Sequence, residues 1–388
     1  MVALWIIAIA SALWWLLQLR AAVCTVLAVP LLEPDAEAWS PSGDERVSVI
    51  CPARDEADEI EAAMRTRLSD SAPWLEFIAI NDRSTDQTGA ILDRLAAEDG
   101  RLSVLHLTEC PEGWLGKVNA QHQGEQVATG DWLLFSDGDT HVEPGMMAAA
   151  MAHMEREHAD VLAVLPKCVD GPWLLHAALP MLMRMLIGSL RIWEANDDSK
   201  ERVMGVGAFN LVRREALVAA GGMEALRMEI ADDVGLVVIV RESGGRGRVA
   251  STDAGVWIRW YRSVRDLLAG TEKGCAKAGS RLKLAFGLLI SPVLLTCELA
   301  PFVLWAWWPS TPAVIAVATA VIALVTVRTL TVRFRLHPVW SWLLPVATVI
   351  TGALVIRAVA LALVRGGIRW KGDAHSLKAA REGERVQL

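Results

Sequence analysis

Apolar residues gather at the two ends of this chain, and the middle alternates. Residues 2–19 are uncharged and almost wholly apolar up to Arg20, and 21–32 continue nearly as apolar; 284–308, 312–327 and 338–364 repeat the pattern near the other end. About twenty apolar residues carry a helix across a bilayer, so both ends are predicted to be membrane segments. Between them, short apolar runs at 47–51, 77–80, 102–107 and 132–135 are separated by stretches at 60–68, 88–95 and 117–128, where charged and apolar residues are interspersed as on helices. Strand and helix therefore alternate, which predicts an α/β domain with a mostly parallel, Rossmann-like sheet covered by helices on both faces. The predicted organisation is a membrane anchor at 1–32, an α/β domain at 44–255, an interfacial amphipathic region at 256–283, a transmembrane region at 284–364 and a basic tail at 365–388.

Residues 171–193 are also apolar, with Met181, Met183 and Met185, but carry Arg184 near the middle. A span here would put the flanking parts of the α/β domain on opposite sides of a bilayer. A helix lying on the membrane surface is expected instead, with ordinary core packing as the alternative for the methionines. No Lys or Arg precedes the first apolar run and no small-residue cleavage site follows it, so it is expected to be a retained anchor rather than a signal peptide. Two basic clusters, Arg328, Arg333 and Arg335, and Lys277, Arg281 and Lys283, are expected on the cytoplasmic side. The tail, with Arg365, Arg369, Lys371 and Lys378, is basic as well, and three full C-terminal crossings would put it on the other side. A segment that enters and leaves on one side resolves the conflict; 284–308, interrupted by Pro292, Glu298 and Pro301, is the candidate.

Composition adds little beyond this. Of 388 residues 53% are hydrophobic, and the net charge is −7. The basic residues gather around the membrane segments, so neither a polyanion-binding surface nor a nucleic-acid partner is expected. Six cysteines without a Cys-x-x-Cys pair suggest neither a zinc site nor a disulfide framework, which fits a reducing cytosolic face.

Ligands of parallel sheets bind at the carboxyl ends of the strands, and Arg54, Asp55, Glu56, Asp82, Asp86, Asp137 and Asp139 all fall just beyond predicted strand ends. Asp137 and Asp139, one residue apart after an apolar run, can reach one crevice, and hard cations such as Mg²⁺ or Mn²⁺ prefer carboxylate and phosphate oxygens. The set suits a nucleotide diphosphate with its metal. Simpler alternatives stand beside it: an Asp-Gly-Asp turn satisfying local backbone, Asp82 and Asp86 capping the next helix, and Arg54 pairing with a neighbouring acid. A second acidic pair, Asp232-Asp233, follows 205–212, a glycine-led run expected as a strand that lets a backbone approach a ligand closely. That pair also suits a helix N-terminus.

Val-Ile-Cys-Pro-Ala-Arg-Asp-Glu (49–56), Asn-Asp-Arg-Ser-Thr-Asp (81–86), Gly-Trp-Leu-Gly-Lys (113–117), Ser-Asp-Gly-Asp (136–139) and Ala-Asp-Asp-Val-Gly-Leu (231–236) occur in this order. Together they resemble the inverting, membrane-anchored family-two glycosyltransferases of the GT-A fold. The Gly-Trp-x-Gly-Lys element and the C-terminal spans look closest to the ceramide glucosyltransferase and hopanoid-associated branch. The similarity covers about residues 45–270 and the membrane layout. It implies that Asp82 contacts the uracil or ribose, with Ala53, Arg54 and Glu56 lining the nucleotide. Asp137 and Asp139 fill the Asp-x-Asp positions, one or both at the metal, and Lys117 meets the diphosphate or sugar, or is simply an exposed helix-starting lysine. Asp233, beside Asp232, is the implied base that takes the acceptor hydroxyl proton. His141 is a further candidate ligand, or a solvated turn residue.

The family's Gln/Arg-x-x-Arg-Trp motif is met in its first part by Arg262 and Arg265, but Asp266 stands where Trp is expected. These arginines either contact acceptor or diphosphate or belong to an interfacial anchor. The tail segment 367–372 either returns to the active-site rim or binds lipid headgroups. The expectation is a metal-dependent integral membrane glycosyltransferase with a cytoplasmic catalytic domain. It would move a sugar from a nucleotide sugar, with UDP-hexose the expected donor, to a lipid hydroxyl with inversion. The alternatives are a processive polysaccharide synthase of the same fold and a lipid-binding scaffold with a decayed site. Three C-terminal segments are few for a translocation channel, and retention of both acidic pairs argues against decay.

Overall fold

The computed structural model describes residues 1–34, 39–169, 171–276, 281–365, 367–370 and 373–376. Among the described residues two compact units emerge: one contains Val29–Val169 and Glu194–Arg259, the other Met1–Ala28, 171–193 and the described residues from Trp260 to Ser376. Residues 171–193 thus group with the apolar helices rather than with the α/β domain in which the sequence placed them.

In the first unit the strands are β1 (Val47–Ala53), β2 (Leu75–Asp82), β3 (Leu102–Leu107), β4 (Trp132–Phe135), β5 (His141–Val142), β6 (Val161–Leu165), β7 (Lys167–Cys168), β8 (Asn210–Arg213), β9 (Gly247–Ser251) and β10 (Val256–Ile258). The main sheet runs β3-β2-β1-β4-β8-β6-β9, and β8 is antiparallel to both its neighbours while the other pairs are parallel. A smaller sheet, β5-β10-β7, draws in residues 256–258, which the sequence assigned to an interfacial region.

Every residue of β1 is buried, as a central parallel strand covered on both faces requires. Side chains alternate between two cores. Val49, Cys51 and Leu134 pack on one face with Ile60 and Met64 of helix Ile60–Leu68 and with Leu92 and Leu95 of helix Thr88–Glu98. Ile50, Leu133 and Phe135 point to the other face, against Val118 of helix Gly116–Val127 and Leu236 and Val240 of helix Asp232–Glu242. In-register pairing of Ala53 with Asn81, and of Ile50 with Phe135, brings the carboxyl ends of β1, β2 and β4 to one edge.

The second unit is built from helices Val2–Ala28, Trp173–Leu190, Val264–Ala276, Arg281–Val303, Thr311–Arg333, Val339–Trp342 and Leu344–Arg365. Five helical segments are long and apolar enough to cross a membrane by length and composition, so the chain is a membrane protein. Small side chains, including Ala8, Ala22, Ala316, Ala323 and Thr326, are buried in this unit, the side-chain size that lets membrane helices approach closely. Arg281–Val303 is a continuous helix that contains both Pro292 and Pro301, which corrects the expectation that these residues interrupt it. Neighbouring helices re-satisfy the backbone groups a proline leaves open.

Helix Trp173–Leu190 is among the five candidates, yet the chain before and after it belongs to the same α/β unit. A full crossing of about 27 Å would require those two strands of chain to start on opposite sides. Its Arg184 is buried and paired with Glu298 at 2.5 Å, and Trp14 Nε1 donates to the same carboxylate at 2.7 Å. Trp15 lies under the guanidinium, 5.0 Å away. Met181 is buried with Trp15 and Ala323, whereas Met185 is exposed, so the methionines divide between core and surface.

The backbone segments Gly367–Trp370 and Asp373–Ser376 pair as an antiparallel hairpin. Lys277, Lys371, Lys378 and the end of the basic tail lie outside the described residues. Five cysteines among the described side chains are free.

Candidate active site

The loops after β1 and β2 are tied together by short polar side chains. The Asp55 carboxylate accepts the Thr85 N–H at 2.7 Å and its hydroxyl at 3.2 Å, and the Asp55 N–H donates to Ser84 Oγ. Asp86 accepts from the Ala57 N–H and, at the start of its helix, from the Thr88 N–H. Burial opposes its charge, but these hydrogen bonds hold its carboxyl below the usual range. Asp86 is therefore a loop tie, the simpler of its two expected roles. Asp55 and Arg83 hold left-handed backbone, with φ of 53° and 55°, which turns both loops sharply at the sheet edge. Asp82, the last residue of β2, is almost fully buried and receives the Arg83 guanidinium in two hydrogen bonds, at 2.7 and 3.1 Å. Gly116 fits against this pair because a Cβ there would stand 2.4 Å from Arg83 Nη2 and 2.8 Å from Asp82 Oδ2. Ala53 is buried at the end of β1 and touches the Gly138 turn, while Arg54 and Glu56 are half-buried beside it.

Lys117, at the start of helix Gly116–Val127, joins the two acidic pairs. Its Nζ lies 2.8 Å from Asp137 Oδ1 and 3.0 Å from Asp232 Oδ2. Burial works against its charge, but the carboxylates of Asp137, Asp232 and Asp233 outweigh that and raise its pKa well above the ordinary amine value. Asp232 is buried, accepts from Gln121 Nε2 at 3.0 Å, and is pushed up by burial and by Asp233 and Asp137, with Lys117 opposing. Asp233 is more open. Its Oδ2 accepts the Gly207 N–H at 3.2 Å and its Oδ1 the N–H of Val234 at 2.9 Å. The pair does begin a helix, as one reading expected, and that helix start fixes the direction of the Asp233 carboxylate.

The glycine-led segment corrects an expectation. The strand anticipated from Gly205 begins only at Asn210, and the glycines admit the protein's own groups. A Cβ at Gly205 would lie 1.9 Å from the Asp233 carbonyl oxygen; one at Gly207 would lie 2.5 Å from Asp137 Oδ2 and 3.3 Å from Lys117 Nζ. Gly205→Ala is expected to lower stability by about 1–3 kcal/mol, because the obstructing atom is backbone. Gly207→Ala is expected to spare the fold and weaken nucleotide binding, since a side chain must give way. Thermal unfolding and nucleotide binding of both variants check this; an unchanged midpoint for Gly205→Ala contradicts it.

Asp139 sits beside Asp137, its carboxyl pushed up to about 6 by burial and by the negative charges of Asp137 and Glu56, with Arg67 opposing. Crowded carboxylates of this kind are the donor set that a divalent cation neutralises. Among the described residues no three Asp, Glu, His or Cys converge as a metal cage. His141 lies in β5, stacked on Trp257 with centroids 3.5 Å apart, and shares a hydrogen bond with Thr66 Oγ1. Burial and the charges of Arg67 and Arg259 pull its pKa down to about 4. It is a buried packing residue rather than a solvated turn residue, with its Nε2 3.9 Å from the Glu59 carboxylate.

Sequence reasoning missed Arg67. It is buried behind the Asp137 turn, where its guanidinium donates to the Asp137 carbonyl, to Ser136 Oγ at 3.0 Å and to Cys51 Sγ at 2.9 Å. The signal was present: Ile60, Ala63, Met64 and Arg67 form the buried stripe of one helix, and a cation in an apolar stripe is anomalous. Asn210 is a second omission; it accepts the Val206 N–H and donates to the Asp233 carbonyl. Arg262 and Arg265 are exposed and belong to the other unit. Between them Ser263 and Asp266 cap helix Val264–Ala276 reciprocally, with Ser263 Oγ donating to Asp266 at 2.7 Å and the Asp266 N–H to Ser263 Oγ at 3.2 Å. That capping box explains an Asp at the position where the motif has Trp.

A mostly parallel sheet with one antiparallel strand, strand-end carboxylates and a second acidic pair at a helix start define the GT-A class of fold. Residues 48–235 match the family described as Glycosyl transferase family 2, so this part of the chain is a glycosyltransferase domain similar to those of that family. Similar proteins include the glycosyltransferase GlyG of Streptococcus pneumoniae, 28% identical over 30% of this chain and 38% of that protein. The uncharacterized glycosyltransferase YibD of Escherichia coli is 30% identical over 30% of this chain and 32% of its own. The chain spans about a third of the length of these curated relatives. Among solved structures, a mannosyltransferase from Pyrobaculum calidifontis, in complex with GDP-Man and Mn²⁺, shares the fold with a TM-score of 0.52 and 19% identity, over 94% of this chain and 97% of that one.

Proposed function

We propose that this protein transfers a sugar from a nucleotide sugar, UDP-hexose being the leading donor, to a lipid hydroxyl in one inverting step. The observation that carries the reading is Lys117, which gathers Asp137 and Asp232 around one ammonium group. The GDP-mannose and Mn²⁺ held by the similarly folded mannosyltransferase support a nucleotide-sugar donor and a divalent metal. Apolar helices in the same chain support an acceptor that dissolves in the bilayer, as in the ceramide glucosyltransferase and hopanoid-associated branch that the motifs resemble. Arg328 and Arg333 at the end of helix Thr311–Arg333, with Arg335 just beyond it, support a cytoplasmic catalytic domain.

Asp82, Ala53, Arg54 and Glu56 line the nucleotide at the sheet edge. Asp139, with Asp137, would hold Mg²⁺ or Mn²⁺; the bound ion would neutralise charge on the departing diphosphate. Lys117 adds a second positive charge beside that position. Asp233 accepts the proton of the acceptor hydroxyl as its oxygen bonds to the anomeric carbon and the bond to the diphosphate breaks. Asp232, anchored by Lys117 and Gln121, fixes the start of the helix that presents Asp233. We assign no step to Arg262 or Arg265.

The test is incubation of detergent-purified protein with Mn²⁺, a panel of nucleotide sugars and a total lipid extract, reading released nucleotide diphosphate and new glycolipid by mass spectrometry. A lipid heavier by one hexose supports the proposal. A polymer product, or donor bound without turnover across the panel, overturns it.

A further inference from the structure

The helical unit holds an open cavity of about 680 Å³. One wall is a stripe along helix Thr311–Arg333. Val321, Val325, Arg328 and Val332 recur at the spacing that puts side chains on one helix face; all four are exposed. Val26 of the first helix and Trp342, 73% exposed, also line it, and Arg333 sits at the same end as Arg328. Among the described residues no acidic side chain lines the cavity. The surface is thus an apolar channel along a helix, with Arg328, Arg333 and Trp342 among the residues that line its C-terminal end.

We infer that this groove is a binding site for an anionic phospholipid, one acyl chain lying along the valine stripe and the phosphate meeting Arg328 and Arg333. Three features single out this occupant. The valines face outward from a helix that is apolar enough to span a bilayer, where the neighbouring medium is acyl chain. The two arginines come in the last two turns of that helix, near headgroup depth, where guanidinium groups pair with phosphate in a forked geometry. Trp342 adds an amphipathic ring of the kind that settles at the membrane–water boundary. A zwitterionic lipid would fill the same channel but leave the cationic end less well matched. Arg328 and Arg333 were read from the sequence only as markers of orientation; their place on one cavity adds recognition to that role. The inference is independent of the transferase reading.

The test is native mass spectrometry of the full-length protein, stripped of lipid in detergent and titrated with dioleoyl phosphatidylglycerol or with dioleoyl phosphatidylcholine. Phosphatidylglycerol is expected to be retained roughly tenfold to thirtyfold more tightly, in keeping with two arginines near the headgroup. Arg328→Gln with Arg333→Gln should abolish the preference. Arg335→Gln, a neighbouring charge outside the cavity lining, should leave it intact. Val325→Trp, which fills the channel and keeps both charges, should weaken retention of both lipids and covers the case in which the double variant does not insert. Equal retention of the two lipids, equal loss with Arg335→Gln, or full retention in Val325→Trp overturns the inference.

Discussion

Asp233→Asn is expected to lower turnover by about 10²–10⁴-fold, the range of a general base, while nucleotide binding stays within about threefold of the unaltered protein, a free-energy change under about 1 kcal/mol. The amide is nearly isosteric, and its remaining oxygen still accepts the Gly207 N–H that orients the native carboxylate. What disappears is the capacity to take a proton from the acceptor. Separate measurements of nucleotide affinity and of product formation divide the two effects. Turnover within tenfold of the unaltered protein would remove Asp233 from the reaction and leave it as a helix-start residue.

The second large effect is expected at Lys117. Lys117→Met removes the cation that faces the buried Asp232, leaving a desolvated carboxylate that still accepts from Gln121. A stability loss of about 2 kcal/mol follows from stranding a buried charged group, which lowers the thermal midpoint by roughly 4–8 °C for a domain of this size. Turnover is expected to fall about 10²–10³-fold, as on removing one preorganised donor to a developing oxyanion. Asp232→Asn in the Lys117→Met background should restore at least half of the lost stability and none of the turnover. Coupling of that kind is what a double-mutant cycle detects between contacting residues. A Lys117→Met protein with the native midpoint would mean that Asp232 is neutral in the native state without help from Lys117.

Much of the sheet was legible because β1, β2, β3 and β4 are short and largely apolar, and because each of the first three is followed by a turn and a helical pattern. The site was legible for a related reason: in a parallel sheet the residues after each strand share one edge, so Asp82 and Asp137 could be brought together on paper. What the sequence did not disclose depends on contacts between distant segments. Lys117 could be read as a diphosphate or sugar contact or as an exposed helix-starting lysine, and its bridge between Asp137 and Asp232 emerges only in the fold. Gly205 and Gly207 suggested room for a ligand, whereas the space is taken by Asp233 backbone and the Asp137 carboxylate. Pro292 and Pro301 suggested a broken segment because proline lacks a donor, but the helix continues through both, as membrane helices tolerate. His141 looked like a turn residue because β5 is only two residues long, too short to show a period.

The ion pair between Arg184 and Glu298 also sets an order in time. The partners are 114 residues apart, so at synthesis rates of about 5–20 residues per second Arg184 leaves the ribosome roughly 6–23 s before its carboxylate exists. Over that interval helix Trp173–Leu190 carries an uncompensated guanidinium and has no finished bundle to enter. The N-terminal helix, made first, already holds Trp14 and Trp15, the indoles that flank this pair in the finished fold. The two tryptophans can therefore act as a temporary berth for Arg184 during biogenesis, until the arrival of Glu298 closes the assembly.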